Sequence, residues 1–573
     1  MFTQTWATSP RKYGMVVDRD VKITMPDGTV LDGDVYRPDA PGRFPVILGI
    51  SPYNKDLQSA PMMPVGFDPI RGYMETGEPG YFVRRGYVHA HFNVRGSGNS
   101  TGYFQFTGPV EIEDSVRVVE WLAEQPWSDG NVGMFGVSYF AKTAKAVAAA
   151  EPPALKAIFA PWAGDDTYRN VWYHGGILSA RFLTHWRYSG YKIRYRSLVR
   201  EHIGDEQFEQ ALIDLRNDPE LMAVPEFVQA LDSPDTGPNA LMLDIVLSKL
   251  DNRWWRERDD SKTSTVPAYL GACWGNYAMH LPGAFHAYER WAGPKKLLIG
   301  PGVYLDRPLY QLQGEAVRWF DHWLKGNDTG MLEEPPIRCF LPPDGEWREL
   351  ASWPPPEAKW MPFLLHRDGL LSEREHWPHE GFSSFNDSPY EHGQLEFTTP
   401  PLVEPTEILG PIVLTLFLST TDVEALLYAA LLLVDESGAE LELTRGWLRA
   451  SQREESEAST PWEPVFTHRR REPLEPDEIY ELRIPIVATG RRVLAGQRLR
   501  LRVRASDIEP AVNALEALGR NHLSRPRAAR ITIHHKAEHP SRLDLPVTKG
   551  NIIGTFFSGG DIRTVTLRKG EIT

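Results

Sequence analysis

Hydrophobic and polar positions change period along the chain, and those changes predict its elements. Val21–Met25, a Pro26-Asp27-Gly28 turn, Leu31–Tyr36 and the apolar run Phe44–Ile50 read as strands. Apolar strand-like segments then alternate with helical ones: Val88–Asn93, a helix over Ile112–Glu124, Val132–Phe135, an alanine-rich helix over Tyr139–Ala150, and Leu155–Ala160. Such alternation predicts a largely parallel sheet. Between about Asp166 and Thr265 the pattern turns to amphipathic helix, as in Glu206–Leu215 and Ala240–Lys249, with no strand expected. Strand and helix alternate again at Pro267–Ala272, Lys296–Ile299 and Glu315–Leu324, so the helical stretch reads as an insertion into one α/β unit. After the linker Trp353-Pro354-Pro355-Pro356, short strands recur at regular spacing: Ile412–Leu418, Ala430–Val434, Glu440–Thr444, Ile479–Val487, Arg498–Val503 and Ala529–His534. That is the pattern of a sandwich or jelly roll.

Composition narrows the classes. With 573 residues and roughly 100–200 residues per domain, several domains are expected. The only two cysteines, Cys273 and Cys339, exclude a disulfide framework and a thiolate-rich zinc site. A cytoplasmic protein is the expectation: the first residues, MFTQTWATSPRKYG, lack the apolar stretch of a signal peptide, and the longest apolar run, Ala425–Val434, is half a membrane span. A net charge of −14 disfavours nucleic acid and anionic membranes as partners. The basic stretch Arg498–Arg504 does not change this, because its arginines alternate with Leu499, Leu501 and Val503 and so face outward from a half-buried strand. The 18 tryptophans suit aromatic pocket walls.

The segment Val132-Gly133-Met134-Phe135-Gly136-Val137-Ser138 is a strand running into a small-residue turn, and Tyr139 opens a helix. A tight strand-to-helix turn lifts a serine hydroxyl above the sheet, and the backbone N–H of Tyr139 can help to bind an oxyanion. Phe140 replaces the last glycine of G-x-S-x-G. The glycines from Gly96 to Gly102 lack the Lys-Ser/Thr of a phosphate loop and read as a turn.

Further motifs accompany this turn. They are Ser51-Pro52-Tyr53, Arg85-Gly86-Tyr87, Val94-Arg95-Gly96-Ser97-Gly98, Glu120-Trp121-Leu122, Pro126-Trp127-Ser128-Asp129-Gly130, Gly175-Gly176, Arg318-Trp319-Phe320-Asp321-His322-Trp323 and His539-Pro540-Ser541. With them the whole chain resembles the family of cocaine esterases, α-amino acid ester hydrolases and Xaa-Pro dipeptidyl peptidases. The resemblance implies an α/β-hydrolase core (1–160 and 266–355), a helical cap (161–265) and a C-terminal jelly-roll β-sandwich (360–573). It implies Ser138 as nucleophile, the Tyr53 hydroxyl and Tyr139 N–H as oxyanion donors, and Trp186 in the acyl pocket, with Trp274 and His280 as further substrate-binding candidates. A small-molecule substrate is expected, no cofactor or metal, and a homo-oligomer through cap or jelly roll is compatible with the resemblance.

Two family positions depart from the pattern. The triad acid, two residues after a tryptophan, reads Asn276 in Cys273-Trp274-Gly275-Asn276, and the triad histidine reads Tyr304 in Gly300-Pro301-Gly302-Val303-Tyr304. A tyrosine with a pKa of about 10 is only about one part in a thousand phenolate at neutral pH, and replacing a triad Asp by Asn costs a serine protease about 10⁴ in kcat. The two changes fit one another, since an Asp without its His would be a buried unpaired charge whereas Asn276 and Tyr304 can hydrogen-bond. Asn93 also stands where the family usually has Asp, at a position read as structural. Ester or amide chemistry through Ser138 with a non-standard base is therefore one reading. A repurposed pocket, for ligand binding or non-hydrolytic acid/base chemistry, is the other.

Remaining candidates are weaker. His280 and His286 are read chiefly as surface or cap-packing residues, and Lys142 as pointing away from Ser138. His534, His535 and His539 make a metal-like cluster, but they sit at a strand end and metal binding is not expected there. Asp165-Asp166 could meet a substrate amine.

Overall fold

The computed structural model describes residues 8–58, 75–189, 192–301, 308–388, 390, 392–508 and 521–550. Apolar runs buried on both faces build the centre of a ten-stranded sheet. Its strands are β1 (Met15–Thr24), β2 (Val30–Pro38), β3 (Phe44–Ser51), β4 (Val88–Asn93), β5 (Ser128–Phe135), β6 (Leu155–Pro161), β7 (Ala268–Cys273), β8 (Lys295–Gly300), β9 (Ile337–Leu341) and β10 (Glu346–Leu350). The spatial order runs β1-β2-β4-β3-β5-β6-β7-β8-β9-β10. Neighbours from β4 to β9 pair in parallel, while β1, β2 and β10 add antiparallel edges. Helices Pro109–Ala123, Tyr139–Ala149, Leu281–Arg290 and Pro308–Lys325 connect the strands. Gly133 on β5 has no side chain because the ring of Phe320 occupies that space, 2.6 Å from where a Cβ would sit.

Between β6 and β7 the chain is helical, with its longest pieces at Ala180–Ser189, Asp205–Arg216 and Gly237–Leu247. One hairpin was not expected there: Tyr173–His174 pairs with Ile177–Leu178 around Gly175 and Gly176. Both glycines have positive φ, and a Cβ on Gly175 would stand 2.0 Å from the carbonyl oxygen of Trp447, so the hairpin tip presses against the C-terminal sheet.

That second sheet spans Lys359 to Lys549, has twelve strands and is antiparallel throughout. Its apolar faces form their own core, with Phe363, Leu414, Leu431, Ile484, Leu501 and Leu545 at the centre. Arg498–Arg504 is a strand, as the alternation predicts, and Arg500 and Arg502 on its outer face pair with Glu396 and Glu440. The architecture is an α/β-hydrolase fold with an inserted helical segment and a C-terminal jelly-roll-like sheet. Cys273 and Cys339 are buried and not joined in a disulfide. Among the described residues, no helix is long and apolar enough to cross a membrane.

A buried chain of polar groups ties the helical segment to the second sheet. Asp507 Oδ2 lies 2.8 Å from His522 Nδ1, His522 Nε2 lies 2.7 Å from His174 Nδ1, and His174 Nε2 reaches the carbonyl oxygen of Asn170 at 3.1 Å. Burial lowers His174 to about 3, so it remains a neutral link.

Candidate active site

The site forms at the carboxyl ends of the parallel strands, where α/β sheets place ligands. β5 ends at Phe135, and Gly136-Val137-Ser138 turns directly into the helix Tyr139–Ala149. Ser138 is held at φ 55°, ψ −121°, a sparsely populated conformation that the surrounding packing imposes. Gly136 makes the turn possible, since a Cβ there would meet the Cβ of Phe140 at 2.3 Å. Phe140 thus replaces the usual glycine without breaking the elbow. It packs between His91 and Tyr53, with ring centroids 5.1 and 6.3 Å away.

Tyr53 follows β3, and its backbone N–H donates to Ser51 Oγ at 3.1 Å. Its hydroxyl accepts from the indole Nε1–H of Trp186 at 2.9 Å and hydrogen-bonds the Ser138 side chain. Burial, reinforced by Glu75, pushes its pKa far above 10, so it stays a neutral hydroxyl. The Tyr139 N–H occupies the first turn of its helix, where backbone donors lack intrahelical partners and the helix dipole favours negative charge. The Tyr139 hydroxyl is committed elsewhere, donating to Glu111 Oε1 at 2.7 Å, and burial raises Glu111 to about 7.

Ser138, Tyr53 and Trp186 line a cavity of about 50 Å³ together with Phe106, Trp172, Lys142 and His280. Phe106 and Thr107 also have positive φ, so backbone strain gathers around this cavity. A larger cleft of about 740 Å³ adjoins it, with Asp166 and Thr167 lining both.

Several expectations need correction. Lys142 does not point away: one helical turn after Ser138, it lies on the same helix face and lines the cavity. Its Nζ donates to Thr167 Oγ1 at 2.5 Å, and that hydroxyl donates to Asp260 Oδ1 at 3.1 Å. Burial lowers the pKa of Lys142 and raises Asp260 to about 6. His280 is no surface residue. It is buried in the cavity wall, and that burial lowers it to about 3. Trp274 is not among the cavity residues; its indole N–H donates to the carbonyl of Phe340 at 2.6 Å, and its ring fills the space above Gly490. His286 faces the larger cleft and lies 2.7 Å from Glu463 Oε1. Asp165 and Asp166 reach the cavity already paired, Asp165 with Lys145 and Arg290 and Asp166 with Arg169.

Asn276 sits in the turn after β7, buried, with its backbone carbonyl accepting from the N–H groups of Met279 and His280, both 3.2 Å away. Its Nδ2 has no hydrogen-bond partner among the described residues. Tyr304, and with it the expected Asn276–Tyr304 pairing, lies outside the described residues. Asn93 is structural: its Oδ1 accepts the Lys55 N–H at 3.0 Å and its amide faces the buried Asp32 at 3.4 Å. An aspartate there would set two buried carboxylates together. The sequence pattern missed Phe106, Trp172, Thr167 and Asp260, which reach the cavity from three separate segments, Thr167 and Trp172 from one short helix, and carry no local motif.

The histidines near the C-terminal end do not converge. His534 and His535 are neighbours on one strand, Ala529–Lys536, and so face opposite sides. His534 pairs with His539 at a centroid distance of 6.0 Å, whereas His535 is fully buried near His376.

Comparisons with known proteins agree with this architecture. Residues 27–305 match the model of the X-Pro dipeptidyl-peptidase (S15 family), and residues 327–544 match that of the X-Pro dipeptidyl-peptidase C-terminal non-catalytic domain. The cocaine esterase of Rhodococcus sp. (strain MB1 Bresler) is 27% identical over 604 residues, covering 93% of this chain and 99% of the esterase. A solved CocE/NonD family hydrolase from Staphylococcus aureus superposes with a TM-score of 0.75 at 24% identity, over 93% of this chain and 94% of that one. An α-amino acid ester hydrolase superposes with a TM-score of 0.72 at 18% identity, over 95% and 98%. With both of its parts matched in order and with a cocaine esterase aligned along nearly its whole length, the chain belongs to the S15 family of X-Pro dipeptidyl-peptidases and cocaine esterase-like serine hydrolases.

Proposed function

We propose that the protein transfers an acyl group from an ester or amide through Ser138, using a base other than the family histidine. The observation that carries this is Ser138 itself: a strained elbow whose side chain hydrogen-bonds the Tyr53 hydroxyl beside a free helix end. Attack by Ser138 Oγ on a carbonyl would place the developing oxyanion between the Tyr53 O–H and the Tyr139 N–H, and such preorganised donors are each worth about 10²–10³ in rate. Phe106, Trp172 and Trp186 leave an apolar space of about 50 Å³ for the acyl part. That favours a small acyl group, because drug-sized ligands occupy about 300–1,000 Å³.

Lys142 is the base this cavity supports best. Burial lowers its pKa, which raises the neutral fraction, and the Thr167–Asp260 chain orients its amine. His280 is a weaker acceptor, since burial holds it to about 3. With short-chain aryl esters as substrates, Ser138→Ala should abolish turnover, and Lys142→Met should lower kcat by at least about 10² and remove the limb of the pH–rate profile that rises as the amine loses its proton. Turnover unchanged in Lys142→Met would reject Lys142 as base.

A second reading is a pocket repurposed for binding or non-hydrolytic acid/base chemistry. It is favoured by Asn276, whose buried amide stands at the position of the family's acid. If esterase activity is absent from the natural chain and arises in an Asn276→Asp/Tyr304→His double variant, this second reading is the correct one.

A further inference from the structure

We propose that the C-terminal sheet carries a binding site for a divalent transition metal of the zinc class, made by His366, His376 and Glu380 with His535 alongside. The site is distant in sequence from Ser138 and plays no part in the chemistry above.

One ring nitrogen of each of His366 and His376 and one carboxylate oxygen of Glu380 lie within 4.8 Å of one another. Both imidazoles are buried, and Glu380 is nearly so. Each histidine is held by the nitrogen that would not bind metal. His376 Nε2 lies 2.8 Å from the carbonyl oxygen of Leu365, which can only accept, so Nε2 carries the proton and Nδ1 keeps the lone pair. That Nδ1 is buried with no hydrogen-bond partner among the described residues. His366 Nε2 is 3.0 Å from Ser372 Oγ, which leaves Nδ1 facing Glu380 Oε1 at 2.7 Å. Fixing the far nitrogen on a carbonyl or hydroxyl is how metal-binding histidines are oriented.

His535 repeats the arrangement. Its ring centroid is 6.2 Å from that of His376, its Nε2 is 3.1 Å from Ser383 Oγ, and its Nδ1 is buried with no hydrogen-bond partner within 3.5 Å among the described residues. A buried nitrogen lone pair on His376, the His366 ring and one carboxylate therefore gather in one place, with the His535 ring beside them. Two imidazoles and a carboxylate form a ligand set for zinc, and for nickel or cobalt in its place.

Binding requires small movements. Ligand atoms around a tetrahedral zinc with bonds of about 2.0–2.1 Å are roughly 3.4 Å apart, so the side chains must close in, and the proton shared by His366 and Glu380 must leave. Glu380, in the turn after Trp377, must give up its contacts with the Arg367 and Trp377 N–H groups to close in. Arg374 opposes a cation, because its Nη2 is 3.3 Å from His366 Nδ1. It is exposed, with its guanidinium 5.7 Å from the Trp377 ring centroid, and can swing outward.

The experiment is zinc titration by calorimetry of the full-length protein after chelator treatment and dialysis, with Co²⁺ absorption reporting the ligand environment. One equivalent of Zn²⁺ should bind and raise the melting temperature, and Co²⁺ should give tetrahedral d–d bands. His376→Ala and Glu380→Gln should each weaken binding at least about 10-fold, and Arg374→Ala should strengthen it. Glu380→Gln changes a partly exposed turn residue, so it remains informative should His376→Ala fail to fold. The absence of one-equivalent binding would overturn the proposal. So would binding that persists unchanged in Glu380→Gln and is lost in His539→Ala, which would assign the metal to the His534–His539 pair instead.

Discussion

Ser138 stores strain that the fold must sustain. Its positive φ falls where side chains are disfavoured, at a cost of about 1–3 kcal/mol. Glycine adopts the same conformation freely. Ser138→Gly should therefore unfold at higher denaturant concentration, with a gain of about 1 kcal/mol, while losing all turnover. A destabilised Ser138→Gly would mean that the elbow is relaxed and that the Tyr53–Ser138 hydrogen bond dominates. The elbow was legible in the sequence because everything that makes it is local: the apolar strand, Gly136 and the alanine-rich helix lie within about twenty residues. The orientation of Lys142 was not legible, for a related reason. Spacing places it on the face of Ser138, but only the packing of Phe106, Thr167 and Asp260 from elsewhere shows that this face looks into a cavity. The approach of His376 to His535 was not legible for a third reason, since 159 residues separate them and only the tertiary fold brings them together.

At the scale of elements, the short helix Pro219–Met222 is bound to the second sheet by a buried ion cluster. Arg449 Nη2 lies 2.6 Å from Glu220 Oε2, and Nη1 lies 3.2 Å from Glu424 Oε2, with the Arg449 side chain only 2% exposed. Two carboxylates left behind without their cation would be costly, so Arg449→Met should destabilise the protein by about 3–5 kcal/mol. Replacing Glu220 and Glu424 by glutamine in the same variant should recover part of that loss, as measured by chemical denaturation. Strand and helix positions were largely legible, because period-2 and period-3.6 patterns are set by which face is buried. The Tyr173–Leu178 hairpin was not, since its two-residue strands are too short for any period and are held by the fit of Gly175 against Trp447.

At the scale of the whole molecule, the two sheets and the helical segment meet around the larger cleft, and one contact there depends on pH. His286 lies 2.7 Å from Glu463, with Asp165, Arg290 and Glu289 the other charged groups near it. Burial alone would lower its pKa, but Glu463 outweighs that and raises it to about 9. The folded state therefore binds this proton more tightly than the unfolded chain, where the value is about 6.5. The contribution is complete below about pH 6.5 and is lost as pH rises towards 9. Since His286 is 24% exposed, the loss should be on the order of 1–2 kcal/mol. In His286→Gln the decline in stability between these pH values should be correspondingly shallower. An equal decline in both proteins would remove the pair from the account.

The proposed chemistry requires Ser138 to be an activated nucleophile in a chain whose family histidine position reads Tyr304. Its most direct test is labelling of the folded protein with a fluorophosphonate, followed by peptide mass mapping. One adduct per chain is expected on Ser138, formed more slowly in Tyr53→Phe and Lys142→Met and absent in Ser138→Ala. Absence of labelling in the folded wild-type protein, or labelling that survives Ser138→Ala, would contradict it.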